Sequence, residues 1–157
     1  MDGEAYPKTL IQQMNSAKQE IDTLSRLVDT DSLTGLLNLR GLQQRYNMVD
    51  DLSYWLLILD IDNFKQTNDR YGHLAGNQAL MDLAAILSTS VRADDSVCRV
   101  GGDEFVLLCK GLCQHDAESL AQRLINRVAD CAKQDRLLTG ISVGLTPAVI
   151  GESLDDD

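Results

Sequence analysis

Basic charge is scarce in this 157-residue chain: 14 Lys and Arg stand against 24 Asp and Glu, a formal net charge of −10. Binding duplex nucleic acid or an anionic membrane surface depends on clustered Lys and Arg, so the balance argues against a nucleic-acid-polymer partner or a membrane-surface partner. It also sets a condition for any phosphorylated ligand. Something other than the net field of the protein has to neutralise the phosphates, and bound divalent cations would do so. Long apolar runs are missing too. The longest strongly apolar stretch, Trp55 to Leu59, is far below the roughly 20 residues that span a bilayer. The acidic start, Met1-Asp2-Gly3-Glu4, carries no apolar core of signal-peptide length. These absences are those of a soluble, cytoplasmic chain with no direct membrane insertion. Cys98, Cys109, Cys113 and Cys131 show no C-x-x-C spacing, and only His73 and His115 could join them as ligands. Reduced thiols are expected rather than a zinc site. There is no G-x-x-x-x-G-K-[ST] segment, which excludes an ordinary P-loop ATPase, and no internal repeat or low-complexity linker.

What is present suffices for a folded domain. At 44% hydrophobic residues the chain can bury a core, and its length suits one domain with a short extra element. Leu10, Met14, Ala17, Ile21, Leu24 and Val28 recur at alternating spacings of four and three, which is a heptad seam. A parallel coiled coil joining two copies of the chain and a single amphipathic helix lying on its own domain both fit it. Residues 1–30 are therefore assigned to a linker or coiled-coil helix, and residues 31–157 to the domain.

Asp31-Ser32-Leu33-Thr34-Gly35 reads as a turn, and Asn38 as the N-cap of a helix to about Met48. Leu52 to Asp60 is a compact apolar run suited to a buried strand, followed by a polar loop over 63–76. Ala79 to Val91 repeats apolar residues at helical spacing. Val97 to Val100 and Glu104 to Cys109 flank Gly101-Gly102-Asp103 like the arms of a β-hairpin. Asp116 to Ala132 reads as a helix and Thr139 to Leu145 as a final strand. With a leading helix pair and a short initial strand allowed for, the order is β-α-β-β-α-β. A hairpin between two helices argues against an all-parallel sheet and for a ferredoxin-like α+β fold with a mostly antiparallel sheet.

The residues that carry chemistry are carboxylates at strand ends. Asp60 closes the apolar strand with Asp62 two residues on, and Asp103 and Glu104 sit at the hairpin tip. Taken singly, each is the ordinary decoration of a turn. As a set at neighbouring strand ends they are hard oxygen ligands of the kind Mg²⁺ takes, with phosphate oxygens and waters completing the shell. Two such ions can activate an attacking oxygen and stabilise a leaving one in nucleotidyl transfer. Gly101 and Gly102 are ordinary hairpin residues, and they would also let a ligand rest directly on the backbone.

Asp31-Ser-Leu-Thr-Gly-Leu-Leu-Asn38, Asp60-Ile-Asp-Asn-Phe-Lys65, Asn68-Asp69, Tyr71-Gly-His73 and Arg99-Val-Gly-Gly-Asp-Glu-Phe105, taken in order, resemble the GGDEF-domain diguanylate cyclases. The match runs from about Asp31 to Thr146. The resemblance implies a nucleotidyl-cyclase palm related to the ferredoxin-like fold, and condensation of two GTP into cyclic di-GMP with release of two pyrophosphates. It further implies that Asp60 and Asp103 hold Mg²⁺, or Mn²⁺ in its place, with help from the Ile61 carbonyl. Glu104 would be a further metal ligand or the group that helps deprotonate the attacking 3′-hydroxyl. The amides of Asn63, Phe64 and Lys65 would contact the β- and γ-phosphates, Asn68 would read the guanine edge, and Gly101 and Gly102 would adjoin the substrate. Each domain would bind one GTP, so catalysis would need a homodimer. Arg92-Ala-Asp-Asp95 resembles the inhibitory R-x-x-D motif of the family and Arg123 a further product-binding arginine, which implies feedback inhibition by cyclic di-GMP.

Two departures stand out. The family usually has Asp after its His-x-x-Gly segment, whereas this chain has Asn77 after Gly76. Asn offers one acceptor and two donors where a carboxylate offers acceptors only, so weaker guanine selectivity is expected. The family also normally continues past the Ser142-Val-Gly144 strand into a final helix with basic residues, and Asp157 falls where that helix would begin. The expectation is a domain lacking its usual C-terminal helix, with low or no cyclase activity in the chain alone. A non-catalytic module that senses nucleotide or cyclic di-GMP is the alternative to the enzyme.

Overall fold

A computed structural model describes residues 7–48, 54–134 and 137–148. The elements in order are α1 (Lys8–Asp29), α2 (Leu39–Asn47), β1 (Tyr54–Ile61), α3 (Phe64–Tyr71), α4 (His73–Ser90), β2 (Ser96–Gly101), β3 (Glu104–Lys110), α5 (Gln114–Gln134) and β4 (Ile141–Pro147). The four strands form one sheet in the order β2-β3-β1-β4, and every neighbouring pair is antiparallel. The apolar run that suggested a buried strand thus becomes a central one, with β3 and β4 on either side.

Alternation along β1 sorts its residues between two layers. Leu57, Leu59 and Ile61 join Phe105, Leu107 and Cys109 of β3 beneath Leu80, Leu83 and Leu87 of α4 and Leu120, Leu124 and Val128 of α5. Each fully buried leucine there is worth roughly 1.5–3 kcal/mol against exposure. Among the described residues, the opposite face is covered at one end, where Leu42 and Tyr46 of α2 pack on Leu56, Cys98, Val106 and Leu108. Beyond that cover no other described element packs on this face. Ile58 is 49% exposed and Asp60 is exposed next to it.

The N-terminal helix behaves differently from the others. None of the residues of α1 is buried, and seam residues Ile21 and Leu24 are 61% and 60% exposed. It does not lie down on its own domain. Its C-terminal end is fastened to α2: Asn38 accepts a bond from the Gly41 amide, as its N-cap role requires, and its side-chain amide donates to the Val28 and Thr30 carbonyls. Arg40 pairs with Asp29 at 3.4 Å.

The structure corrects the sequence reading in two places. The segment 63–76, expected as a polar loop, contains α3 and the start of α4, joined at Gly72 with φ +89°. Helix α3 is short and polar, with Thr67 as its only buried residue, so it has no apolar periodicity to read. The short initial strand reduces to isolated bridges, with Leu37 paired to Thr30 on one side and Cys98 on the other. Residues 52 and 53 of the expected first strand lie outside the described residues, as does the expected helix start at 155–157.

Candidate active site

Register and alternation bring the strand-end acids together. Asp60 lies directly opposite Glu104 of β3 and, on its other side, Ser142 of β4. Residues opposed in this way share a face of the sheet, here the open one. They border a shallow groove of about 380 Å³ with Ile58, Leu59, Val143 and Gly144. Like charges placed directly opposite each other are unfavourable, and among the described residues neither Asp60 nor Glu104 has a cationic partner. Asp103, half-buried, precedes Glu104 at the hairpin tip.

Among the described residues no three His, Cys, Asp or Glu side chains gather closely enough to hold a metal ion by themselves. Mg²⁺ is commonly held by one or two carboxylates plus substrate phosphates rather than by an all-protein cage. The facing Asp60–Glu104 pair supplies hard oxygens and an uncompensated negative charge, so the donor set fits the ion.

The hairpin tip is informative for what it does not require. Neither Gly101 nor Gly102 has a positive φ, and a Cβ added at either would meet nothing within 4 Å. Neither backbone conformation nor internal packing demands glycine here, whereas a ligand resting on the tip would. The tip is fastened from behind by Arg99, whose Nε and Nη2 donate to the Gly102 carbonyl at 3.0 and 2.9 Å. Its Nη1 donates to Asp31, at 3.1 Å to Oδ1 and 3.3 Å to Oδ2. Asp31 also accepts from the Thr34 amide and hydroxyl at 2.9 and 2.7 Å. Burial alone would raise the pKa of Asp31. The two Thr34 bonds and the Arg99 charge overcome it, and the net shift is downward. Spacing along the chain singles out neither Asp31 nor Arg99. The Arg-x-Gly-Gly and Asp-x-x-Thr patterns are the only sequence trace of this tie.

The turn from β1 into α3 is built around Asn63, a non-glycine residue in the left-handed region (φ 55°, ψ 32°). Its side chain makes no capping bond, which leaves the first amides of α3 without a side-chain acceptor. A helix N-terminus with free amides attracts anions, and the exposed Lys65 stands on the same turn. Asn68 lies further along α3 with its carboxamide against Gly76, where a Cβ would come within 1.7 Å of its Oδ1. The structure therefore brings the Asn68 carboxamide against Gly76, the residue before Asn77.

Arg92, Asp95 and Arg123 meet elsewhere, around a groove of about 370 Å³ also lined by Ser90, Asp116 and Ser119. Arg92 reaches the Lys110 carbonyl, and Asp95 accepts from the Arg92 and Lys110 amides. With its side chain only 4% exposed, Asp95 braces both ends of the β2–β3 hairpin. Arg123 is held by the Ser90 carbonyl.

A family model described as "Diguanylate cyclase, GGDEF domain" matches residues 28–155. Diguanylate cyclase DgcM of Escherichia coli is 32% identical over 98% of this chain, which spans 39% of that protein. Diguanylate cyclase DgcS of Shewanella oneidensis is 34% identical over 93%, with half of the relative covered. The Escherichia coli protein named cyclic di-GMP phosphodiesterase PdeR is 37% identical over 68% of the chain and is spanned to 17%. Among solved structures, Pseudomonas aeruginosa diguanylate cyclase SiaD in complex with its activator SiaC superposes with a TM-score of 0.74 at 32% identity, covering 92% of this chain and 60% of that one. The coiled coil and GGDEF domain of DgcB from Caulobacter crescentus, in complex with c-di-GMP, shares the fold with a TM-score of 0.78 at 21% identity, covering 92% and 82%.

Proposed function

The chain belongs to the GGDEF-domain diguanylate cyclase family, and from that premise we propose that it condenses two GTP molecules into cyclic di-GMP and two pyrophosphates. The carrying observation is the Asp60–Glu104 pair, opposed on an open sheet face beside a glycine tip that nothing inside the fold requires. Asp60, Asp103, Glu104 and the Ile61 carbonyl are the groups that would hold Mg²⁺ or Mn²⁺, which supplies phosphate neutralisation and activation of the attacking hydroxyl.

The residues of the chain do the rest. The amides of Asn63, Phe64 and Lys65 receive the β- and γ-phosphates, and Asn68 and Asn77 contact the base. Glu104 accepts the proton of the 3′-hydroxyl as its oxygen bonds the α-phosphorus of the facing GTP. The bond from that phosphorus to the pyrophosphate then breaks, and the same exchange in the other direction closes the ring. Each chain holds one nucleotide, so two copies have to face each other. The unburied seam of α1 suits that pairing, since β-branched Ile21 and Val28 alternating with Leu10 and Leu24 favour a parallel two-stranded arrangement. The groove of Arg92, Asp95 and Arg123 is the site we assign to inhibition by cyclic di-GMP. Among the described residues no helix is long and apolar enough to cross a membrane, which accords with work in the cytoplasm.

The test is incubation with GTP and Mg²⁺ followed by product separation. Cyclic di-GMP and pyrophosphate are expected as products at a low rate, and Glu104→Ala abolishes both. A second reading, relaxed purine selectivity, is favoured by one residue. Asn77 presents donors where a guanine N1–H and amino group need acceptors, and ATP would then enter the site.

A further inference from the structure

Asp62 stands two residues after Asp60, a spacing that invites a second metal ligand, but one of its carboxylate oxygens and its main chain are engaged elsewhere. Oδ1 accepts the Ser142 hydroxyl at 2.6 Å. Its amide donates to the Gly140 carbonyl at 2.9 Å, and its carbonyl accepts the Thr139 hydroxyl. Oδ2 lies 3.0 Å from where a Cβ on Gly140 would stand, and Gly140 itself has φ +157°. The lead into β4 thus clasps one residue from three directions. The residue held is the one before Asn63, whose left-handed backbone costs a non-glycine residue of order 1 kcal/mol and persists only where its surroundings enforce it.

We propose that Asp62 is a positioning residue: the clasp formed by Thr139, Gly140 and Ser142 fixes the left-handed turn at Asn63, so that the amides of residues 63–65 are set in advance to receive the phosphates of a nucleoside triphosphate. This deepens the nucleotide-binding part of the proposed function and rests on it. Ser142 couples the two halves of the site, because its main chain faces Asp60 across the sheet while its hydroxyl holds Asp62. The start of β4 is by this account part of the triphosphate site.

The test uses the full chain with Mg·GTP as the probe, read by calorimetric affinity and, in parallel, by KM and kcat for cyclic di-GMP formation. Loss of one such hydrogen bond should raise Kd and KM about fivefold to tenfold in Asp62→Ala and in Ser142→Ala, with kcat changed less than about twofold. Asp62→Asn keeps an acceptor for the Ser142 hydroxyl and should recover most of the affinity. Gly140→Ala, which pushes on Oδ2, should repeat the loss. Unchanged Kd in Asp62→Ala overturns the proposal. So does a collapse of kcat at constant Kd, which would make Asp62 a catalytic or metal-holding group. Loss in Asp62→Asn equal to that in Asp62→Ala overturns it as well. If the unaltered chain binds Mg·GTP but forms no cyclic di-GMP, the cyclase reading fails and the Kd series still decides the clasp. If it binds no Mg·GTP, both fall.

Discussion

Arg99 and Asp31 lie 68 positions apart and meet through two hydrogen bonds, at 3.1 and 3.3 Å, between one guanidinium nitrogen and both carboxylate oxygens. Their side chains are 18% and 19% exposed, and the other two donor groups of Arg99 hold the Gly102 carbonyl. The turn that follows the N-terminal helix is thereby tied to the hairpin tip. Removing either partner leaves a partly buried charge without its mate, so Arg99→Ala and Asp31→Ala should each lose about 1–3 kcal/mol of stability. A double-mutant cycle by urea denaturation should show the pair coupled rather than additive.

The same carboxylate gives a pH dependence with a definite sign. The pKa of Asp31 is held below its ordinary 3.8 in the folded chain. Its contribution is present above that ordinary value and is lost as pH falls through the depressed one, because only the unfolded chain takes up the proton readily. Asp31→Asn should therefore flatten the acid limb of the stability profile below about pH 4 and leave the neutral region without a new slope. An acid limb identical in variant and parent would count against the tie.

At the base-reading edge, Asn77→Asp should sharpen the preference for GTP over ATP by roughly tenfold, the worth of one charge-assisted bond gained. Competition between the two nucleotides, read as the ratio of kcat/KM values, measures this. An unchanged ratio would remove Asn77 from base recognition.

Arg92→Ala and Arg123→Ala should each weaken inhibition by added cyclic di-GMP tenfold or more, since a guanidinium contact to phosphate or guanine is worth about 1.5–3 kcal/mol. Initial rates at low product should stay near those of the parent, because the groove lies apart from the strand-end acids. Asp95→Ala is the less clean variant, as it also releases two main-chain amides.

Thiol chemistry should divide the four cysteines. Burial pushes Cys98 and Cys109 up to about 12, and both are fully covered, so neither offers thiolate to a reagent at neutral pH. Exposed Cys113 should react with iodoacetamide first, while Cys98 and Cys109 should wait for unfolding. Because the unfolded thiols ionise earlier, the stability they support should fall as pH rises above about 9 toward 12.

Much of this molecule could be read from its residues, and the exceptions have a common cause. Asn38 announces the start of α2 because capping is a local bond, and β1 announces itself through a dense apolar run. The facing of Asp60 and Glu104 was legible once the strand order was inferred, because pairing in a central strand places strand ends side by side. Helix α3 was not legible, since its sequence, Phe64 to Tyr71, is polar almost throughout and it is held by packing against α4 and, through Phe64, against the core. The Arg99–Asp31 tie and the clasp on Asp62 were not legible either. Both join residues remote in sequence through side-chain geometry that no periodicity encodes, and the Asp60-x-Asp62 spacing suggested a shared ligand role, whereas Asp62 Oδ1 is taken up by the Ser142 hydroxyl.

The hairpin tip has an evolutionary consequence. Side chains could be added at Gly101 and Gly102 without strain or collision within the chain, so folding alone places no constraint on these two positions, and under the proposed function it is the bound nucleotide that would keep them empty. Were that second constraint to lapse, drift could close the tip in a domain that still folds and still presents its remote arginine groove. A catalyst built this way can turn into a receptor by losing nothing but vacant space.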